Sequence, residues 1–345
     1  MTAMALRTAL GQRWRSVRAS IRGSAIVLTY HRVADAPTDP QLLAIGVEHF
    51  AEHVRALSES CNMVSATELL GLMAGGRSLP RRTVVVTFDD GYADTLRFAA
   101  PILARHDVPA TLFASSDFID SPREFWWDEL ERIVLLGDAL PSRIEIASAS
   151  ATFLAEQHDA AGPQTTPWDV THPPSSERQR IYLELSRFML KLSGPDRLAA
   201  LESLRAQCGA SAAARPTHRP LTADELRELS ADGLVEIGAH TRSHQFLSAR
   251  TPDEQREEIA GSKQALEAIC GHEIRAFSYP YGSRDSYSAE SERIVREAGF
   301  LGAFTTEFGT VTPWMNRFAA PRCPTEDIGG EEFIIRVDQW FRMGR

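Results

Sequence analysis

The stretch Thr83-Val84-Val85-Val86-Thr87-Phe88-Asp89-Asp90-Gly91-Tyr92 decides how the rest of the chain is read. Its β-branched run reads as a buried strand. Gly91 breaks the pattern, and Ala93 to His106 reads as a helix. Two adjacent carboxylates therefore stand where a strand stops. Neighbouring strand residues point to opposite sides, so Asp89 and Asp90 are expected to have different roles. Two carboxylates at a buried strand end repel each other and raise a pKa unless a cation lies between them. A metal ion is the simplest such cation, which turns attention to the histidines.

Outward from this stretch the chain alternates strands and helices. Ile26 to His31 reads as a first strand ending in a histidine, and Phe50, Val54 and Leu57 lie at helical spacing. Ala110 to Ala114 follows as a strand. After a change of style between about 118 and 220, alternation resumes. Thr222-Ala223-Asp224-Glu225 opens a helix with a cap pattern. Leu234 to His240 is a strand, Pro252 to Ile269 a helix, Ala276 to Pro280 a strand and Ser288 to Ala298 a helix. Phe300 to Thr306 and Arg317 to Pro321 complete the strands. About seven strands with helices between most of them predict an α/β fold, a distorted (β/α) barrel of parallel strands. In such barrels function gathers at the C-terminal strand ends. His31, Asp89, Asp90, His240 and Pro280 all fall there.

The segment 118–220 reads as a mainly helical insertion. Phe125 to Leu130 opens a helical pattern, and Arg143 to Ile146 with Thr152 to Leu154 suggests a small hairpin. Glu177 to Leu192 and Pro195 to Cys208 read as two further helices, after a Pro/Thr/Ser-rich loop from Pro163 to Ser176. The expected organisation is a basic N-terminal segment, 1–23, then a barrel over 24–345 interrupted by this insertion.

Composition narrows the function classes. The 345 residues are 43% hydrophobic and 24% charged, as in an ordinary globular chain. A net charge of −9 argues against nucleic-acid binding. Four separated cysteines form no Cys-x-x-Cys pair, so neither a zinc ribbon nor a redox motif is supported, and a reducing compartment fits. No apolar run approaches the roughly 18 residues of a membrane span. In the N-terminal segment Leu6, Leu10, Trp14, Val17 and Ile21 fall on one helical face opposite Arg7, Arg15, Arg18 and Arg22. That suits peripheral membrane contact through an interfacial helix. The plainer reading is a helix docked on the domain or a frayed end.

His240-Thr241-Arg242-Ser243-His244 supplies two imidazoles four apart, which project together if the chain turns helically after its strand. Two histidines and a carboxylate make a three-ligand site with open positions, suited to zinc or another first-row divalent ion. Arg275-Ala276-Phe277-Ser278-Tyr279-Pro280-Tyr281-Gly282 is the third piece: an arginine able to reach a carboxylate, then a tight turn able to present a backbone N–H.

Taken in order, Thr87-Phe88-Asp89-Asp90-Gly91, His240-Thr241-x-x-His244 and Arg275-x-x-x-x-Pro280-x-Gly282 resemble the first three motifs of the polysaccharide deacetylases, carbohydrate esterase family four. The resemblance covers about 24–117 and 220–322. It implies a divalent metal, zinc before cobalt, nickel or iron, held by Asp90, His240 and His244. It further implies Asp89 as catalytic base, Arg275 as the cation orienting it, and Tyr281 as a backbone N–H donor to the oxyanion. The family's late histidine motif has no counterpart here. Tyr30-His31-Arg32 instead resembles a permuted branch in which the acid histidine is N-terminal, which assigns His31 as acid. The family's late Asp/Trp motif is not clearly matched; Trp126, Trp127, Asp128, Trp314 and Arg322 are candidates for its role.

The activity this implies is metal-dependent removal of an N-acetyl group from an acetamido sugar in an oligosaccharide, polysaccharide or lipid-linked glycan. Deformylation or O-deacetylation of a lipid-linked sugar is the near alternative, and a catalytically silent carbohydrate-binding domain the distant one. The expected partner is an N-acetylated glycan. The expected localisation is cytoplasmic, at the inner membrane face if the N-terminal segment binds lipid.

Overall fold

The structure, a computed structural model, describes residues 23–138, 140–146, 151–155 and 168–343. In chain order the strands are β1 (Ala25–Tyr30), β2 (Arg32–Val33), β3 (Ala44–Ile45), β4 (Asn62–Met63), β5 (Thr83–Phe88), β6 (Ala110–Ala114), β7 (Arg143–Ile146), β8 (Ala151–Leu154), β9 (Val235–Ala239), β10 (Ala276–Ser278), β11 (Gly302–Phe308) and β12 (Ala320–Pro324). β5 is buried along its whole length, as its apolar run requires. It pairs in parallel with β1 and β6. Parallel pairing continues through β9, β10, β11 and β12 and returns to β1. Seven strands close on themselves with helices outside, the distorted (β/α) barrel expected from the alternation.

The two-residue period of the strands divides the core in two. Ala25, Val27, Val85, Phe113, Ala276, Phe304 and Ala320 point into the barrel, where Leu69, Leu70 and Met73 of the helix Ala66–Ala74 also pack. Ile26, Leu28, Tyr30, Val84, Val86, Phe88, Leu112 and Phe277 point out against the helices. The interior is tight: a Cβ on Gly238 would lie 2.4 Å from the Phe113 ring. By the same parity His31, Asp89, His240 and Arg322 lie on the inward side at the C-terminal strand ends.

The helices start where local chemistry directs them. Thr222 accepts the Glu225 backbone N–H and Glu225 accepts that of Thr222, the capping box that the sequence pattern predicts. Some elements differ from expectation. The segment read as one helix from Ala93 begins with a wide turn over Thr95–Ala99 and becomes α-helical over Ala100–His106. The last strand begins at Ala320, three residues later than Arg317. A closing helix, Gly330–Met343, was not anticipated; it sets Phe333, Val337 and Phe341 into the outer core.

Between β6 and β9 lie the helices Trp126–Val134, Glu177–Met189 and Gly194–Gln207 and the antiparallel hairpin β7–β8. They bury an apolar cluster of their own, including Leu130, Ile144, Leu185 and Leu204, joined by Tyr92 from the barrel. The four cysteines are free. No helix among the described residues is long and apolar enough to cross a membrane. The basic amphipathic pattern at Leu6–Arg22 lies outside the described residues.

Candidate active site

Asp89 directly follows β5, and its N–H donates to Tyr30 O at 3.0 Å. Its side chain is 3% exposed. Arg322, fully buried on β12, grips it with two arms: Nη1 donates to Oδ1 at 2.8 Å and Nη2 to Oδ2 at 2.6 Å. Burial alone would raise the Asp89 pKa; the Arg322 charge and hydrogen bonds, with help from His240, hold it far below the usual carboxylate range.

Asp90 does not turn away from Asp89 as strand alternation suggests. Its φ of 74° is left-handed, so the strand period ends at Asp89 and the backbone turn brings both carboxylates to one cavity. Burial opposes ionisation of Asp90, but a hydrogen bond with His244 and the charges of His244, His31 and His240 keep its pKa low.

His240 follows β9. Its Nδ1 bonds Ser278 O at 2.8 Å, an acceptor, which fixes the tautomer and leaves Nε2 with a lone pair. That Nε2 is 3.7 Å from Asp90 Oδ1 and 3.9 Å from Asp89 Oδ2. Burial lowers the His240 pKa to about 4, so the ring is neutral and able to ligate at neutral pH. His244 Nε2 is 3.3 Å from Asp90 Oδ1. The two histidines are not joined by a helical turn. The loop carries left-handed residues at Thr241 (φ 63°) and His244 (φ 52°). Glu258 clamps it by accepting the N–H groups of Arg242 and Ser243 at 3.0 and 2.9 Å. One donor atom each from Asp90, His240 and His244 lie within 4.8 Å of one another, all buried. A lone-pair-ready imidazole, a second imidazole and a carboxylate fit a first-row divalent ion.

The other expected residues divide. His31, half-buried after β1, lines the same cavity as Asp89, Asp90, His240 and His244. Its flanking residues face outward: Tyr30 OH bonds His53 Nδ1 at 3.1 Å, and Arg32 Nε donates to Asp94 at 3.0 Å. Tyr281, with φ 62°, also lines the cavity, and among the described residues its backbone N–H has no acceptor. Its turn needs glycine at 282, where a Cβ would lie 2.4 Å from Thr306 N.

Arg275 does not belong to the group. It precedes β10, at the opposite end of the barrel, and its parity turns it outward because Ala276 points in. Its side chain is 47% exposed and pairs with Glu273 at 3.6 Å. The cation that holds Asp89 is Arg322. The sequence signal for it was a single arginine in the apolar run Ala320-Pro321-Arg322-Cys323, at inward parity with Ala320.

The cavity encloses about 310 Å3 and is walled by Trp126 and Trp127 from the insertion. Trp127 packs its ring 4.9 Å from His244 and donates to Tyr92 OH at 2.7 Å; Tyr92 in turn donates to Asp128 at 2.6 Å. Burial pushes the Asp128 pKa up to about 8. Asp128, Glu131 and His218 form a second cluster, but Tyr92, Thr38 and Arg215 already engage its carboxylates. Trp314 is 39% exposed and does not line the cavity.

A family model described as "Polysaccharide deacetylase" matches residues 76–143 and 206–303. The poly-beta-1,6-N-acetyl-D-glucosamine N-deacetylase of Escherichia coli K12 is 28% identical over 119 residues, 34% of this chain and 17% of that protein. This chain therefore spans only a small part of the length of that relative. The structure of IcaB from Ammonifex degensii superposes with a TM-score of 0.58 at 18% identity, covering 92% of this chain and 97% of that one. Streptococcus pyogenes deacetylase PplD in complex with acetate gives 0.57 at 16% identity, covering 91% and 98%. At such identities the likeness is one of fold.

Proposed function

Because the chain belongs to the polysaccharide deacetylase family, we propose that it is a metal-dependent hydrolase that removes an N-acetyl group from an acetamido sugar of a glycan. The observation that carries this reading is the ionised Asp89, gripped by Arg322, beside a three-donor cluster and His31 in one cavity.

Asp90, His240 and His244 would hold the ion, which when bound would polarise the acyl carbonyl and acidify a water. Asp89 would take the water proton as the oxygen attacks. Arg322 keeps that carboxylate ionised and aims both its oxygens. The Tyr281 N–H, without an acceptor among the described residues, would donate to the oxyanion; such a donor is worth roughly 10²–10³ in rate. His31 would protonate the departing amine. Trp126 and Trp127 exclude water from the cavity and give the acyl sugar an apolar wall.

Acid release from N-acetylated oligosaccharides and lipid-linked sugars by the zinc-loaded protein, with Asp89→Asn as control, tests the reading. Acetate from the wild type alone supports it. Formate redirects it to a deformylase. No acid from any substrate by a metal-loaded protein refutes it.

A further inference from the structure

The floor of the cavity has its charges matched, and its rim carries one that is not. Asp89 has Arg322, and Asp90 stands with His240 and His244 in the cluster that would hold the ion. Arg187, exposed near the end of the helix Glu177–Met189, lines the same cavity and has no carboxylate or hydrogen-bond acceptor among the described residues. Its helix explains why. Glu184, three residues earlier, is the natural partner, but Arg180 takes it at 2.6 Å together with Glu177. One turn onward stands Lys191, which repels rather than pairs. A guanidinium at the mouth of a ligand cavity, unpaired while its helix neighbour engages both nearby carboxylates, is built to meet a charge from outside.

We propose that Arg187 binds an anionic group of the glycan, a carboxylate or phosphate near the N-acyl sugar, so that this cavity takes acidic glycans in preference to neutral ones. The proposal rests on the glycan reading of the site. The guanidinium fork suits either anion, each offering two coplanar or near-coplanar oxygens. The chain as a whole, at −9, does not attract anions from a distance. Selection for them must therefore come from a local cation inside the cavity mouth. Ser186 and Gln41, also in the lining, add neutral hydrogen-bonding groups beside it.

Equilibrium binding to the full metal-loaded chain, over times short against acetate release, tests this. Three probes serve: a neutral N-acetylglucosamine tetramer, a tetrasaccharide alternating N-acetylglucosamine with glucuronate, and N-acetylglucosamine 1-phosphate. At least one anionic probe is expected to bind roughly 10-fold tighter than the neutral tetramer, the effect of one charge-assisted contact. Arg187→Gln should erase that preference, Arg187→Lys should keep part of it, and neutral binding should stay within about twofold. Which anionic probe is preferred separates carboxylate from phosphate. Equal binding of all probes, failure of both anionic probes to bind, or a preference that survives Arg187→Gln overturns the proposal. Acetate is measured in the same samples: a probe that binds through Arg187 without releasing acetate refutes the reaction and not the contact.

Discussion

Arg322 and Asp89 form a two-armed ion pair across the barrel mouth, from the last strand to the end of β5, at 2.8 and 2.6 Å with both side chains buried. Removing the guanidinium leaves a buried carboxylate without its cation. Arg322→Ala is expected to cost about 3–5 kcal/mol of stability, measurable by urea unfolding. In the wild type the depressed Asp89 pKa makes this contribution full above about pH 4, the ordinary carboxylate value, and lost progressively as the pH falls below it. Arg322→Lys keeps the charge but loses one arm. It should fold, and the acid limb of its pH–rate profile should move upward, because burial then raises the Asp89 pKa with less opposition. An unmoved limb would remove Asp89 from the role of base.

Arg275→Ala makes the contrasting case. A half-exposed pair with Glu273 is worth roughly 0–1 kcal/mol. Acetate release should stay within about twofold of wild type, where Arg322→Lys falls well below it. A loss comparable to that of Arg322→Lys would return Arg275 to the site.

Metal content separates the two carboxylates. His240→Ala and Asp90→Asn should each lose bound zinc and activity together, read by elemental analysis of purified protein. Asp89→Asn should keep zinc and lose turnover. Zinc loss in Asp89→Asn with retention in Asp90→Asn would exchange the two roles.

His31→Gln should lower kcat for an amide substrate by roughly 10²–10⁴, the usual weight of a general acid, with metal content intact. An aryl acetate, whose leaving group departs without a proton, should lose far less. Equal losses on amide and aryl ester would make His31 a structural residue.

Tyr92→Phe removes the hydroxyl that joins Trp127 to Asp128. With two buried partners left unsatisfied, the expected cost is about 1–3 kcal/mol by thermal or chemical unfolding. Trp127 lies against His244, so zinc affinity should fall as well. Unchanged zinc affinity would detach the insertion from the metal loop.

Much of this was local and therefore open to reading in one dimension. The apolar run at Thr83–Phe88, the cap at Thr222 and the clustering of His31, Asp89, Asp90 and His240 at strand ends depend on the 2.0 and 3.6 periods and on turn chemistry. These decided the α/β barrel; the motif resemblance named seven site residues, of which six line one cavity. What needed the tertiary structure depends on closure or on left-handed backbone. Asp90 at φ 74° escapes the alternation that strand residues obey, and Thr241 and His244 pair the imidazoles without a helix. The Arg322–Asp89 pair spans 233 residues and exists because parallel pairing brings β12 beside β1 and β1 beside β5. Strand periodicity carries residue type and facing from one position to the next along the chain. It says nothing of which strand end stands opposite which, and only barrel closure sets that.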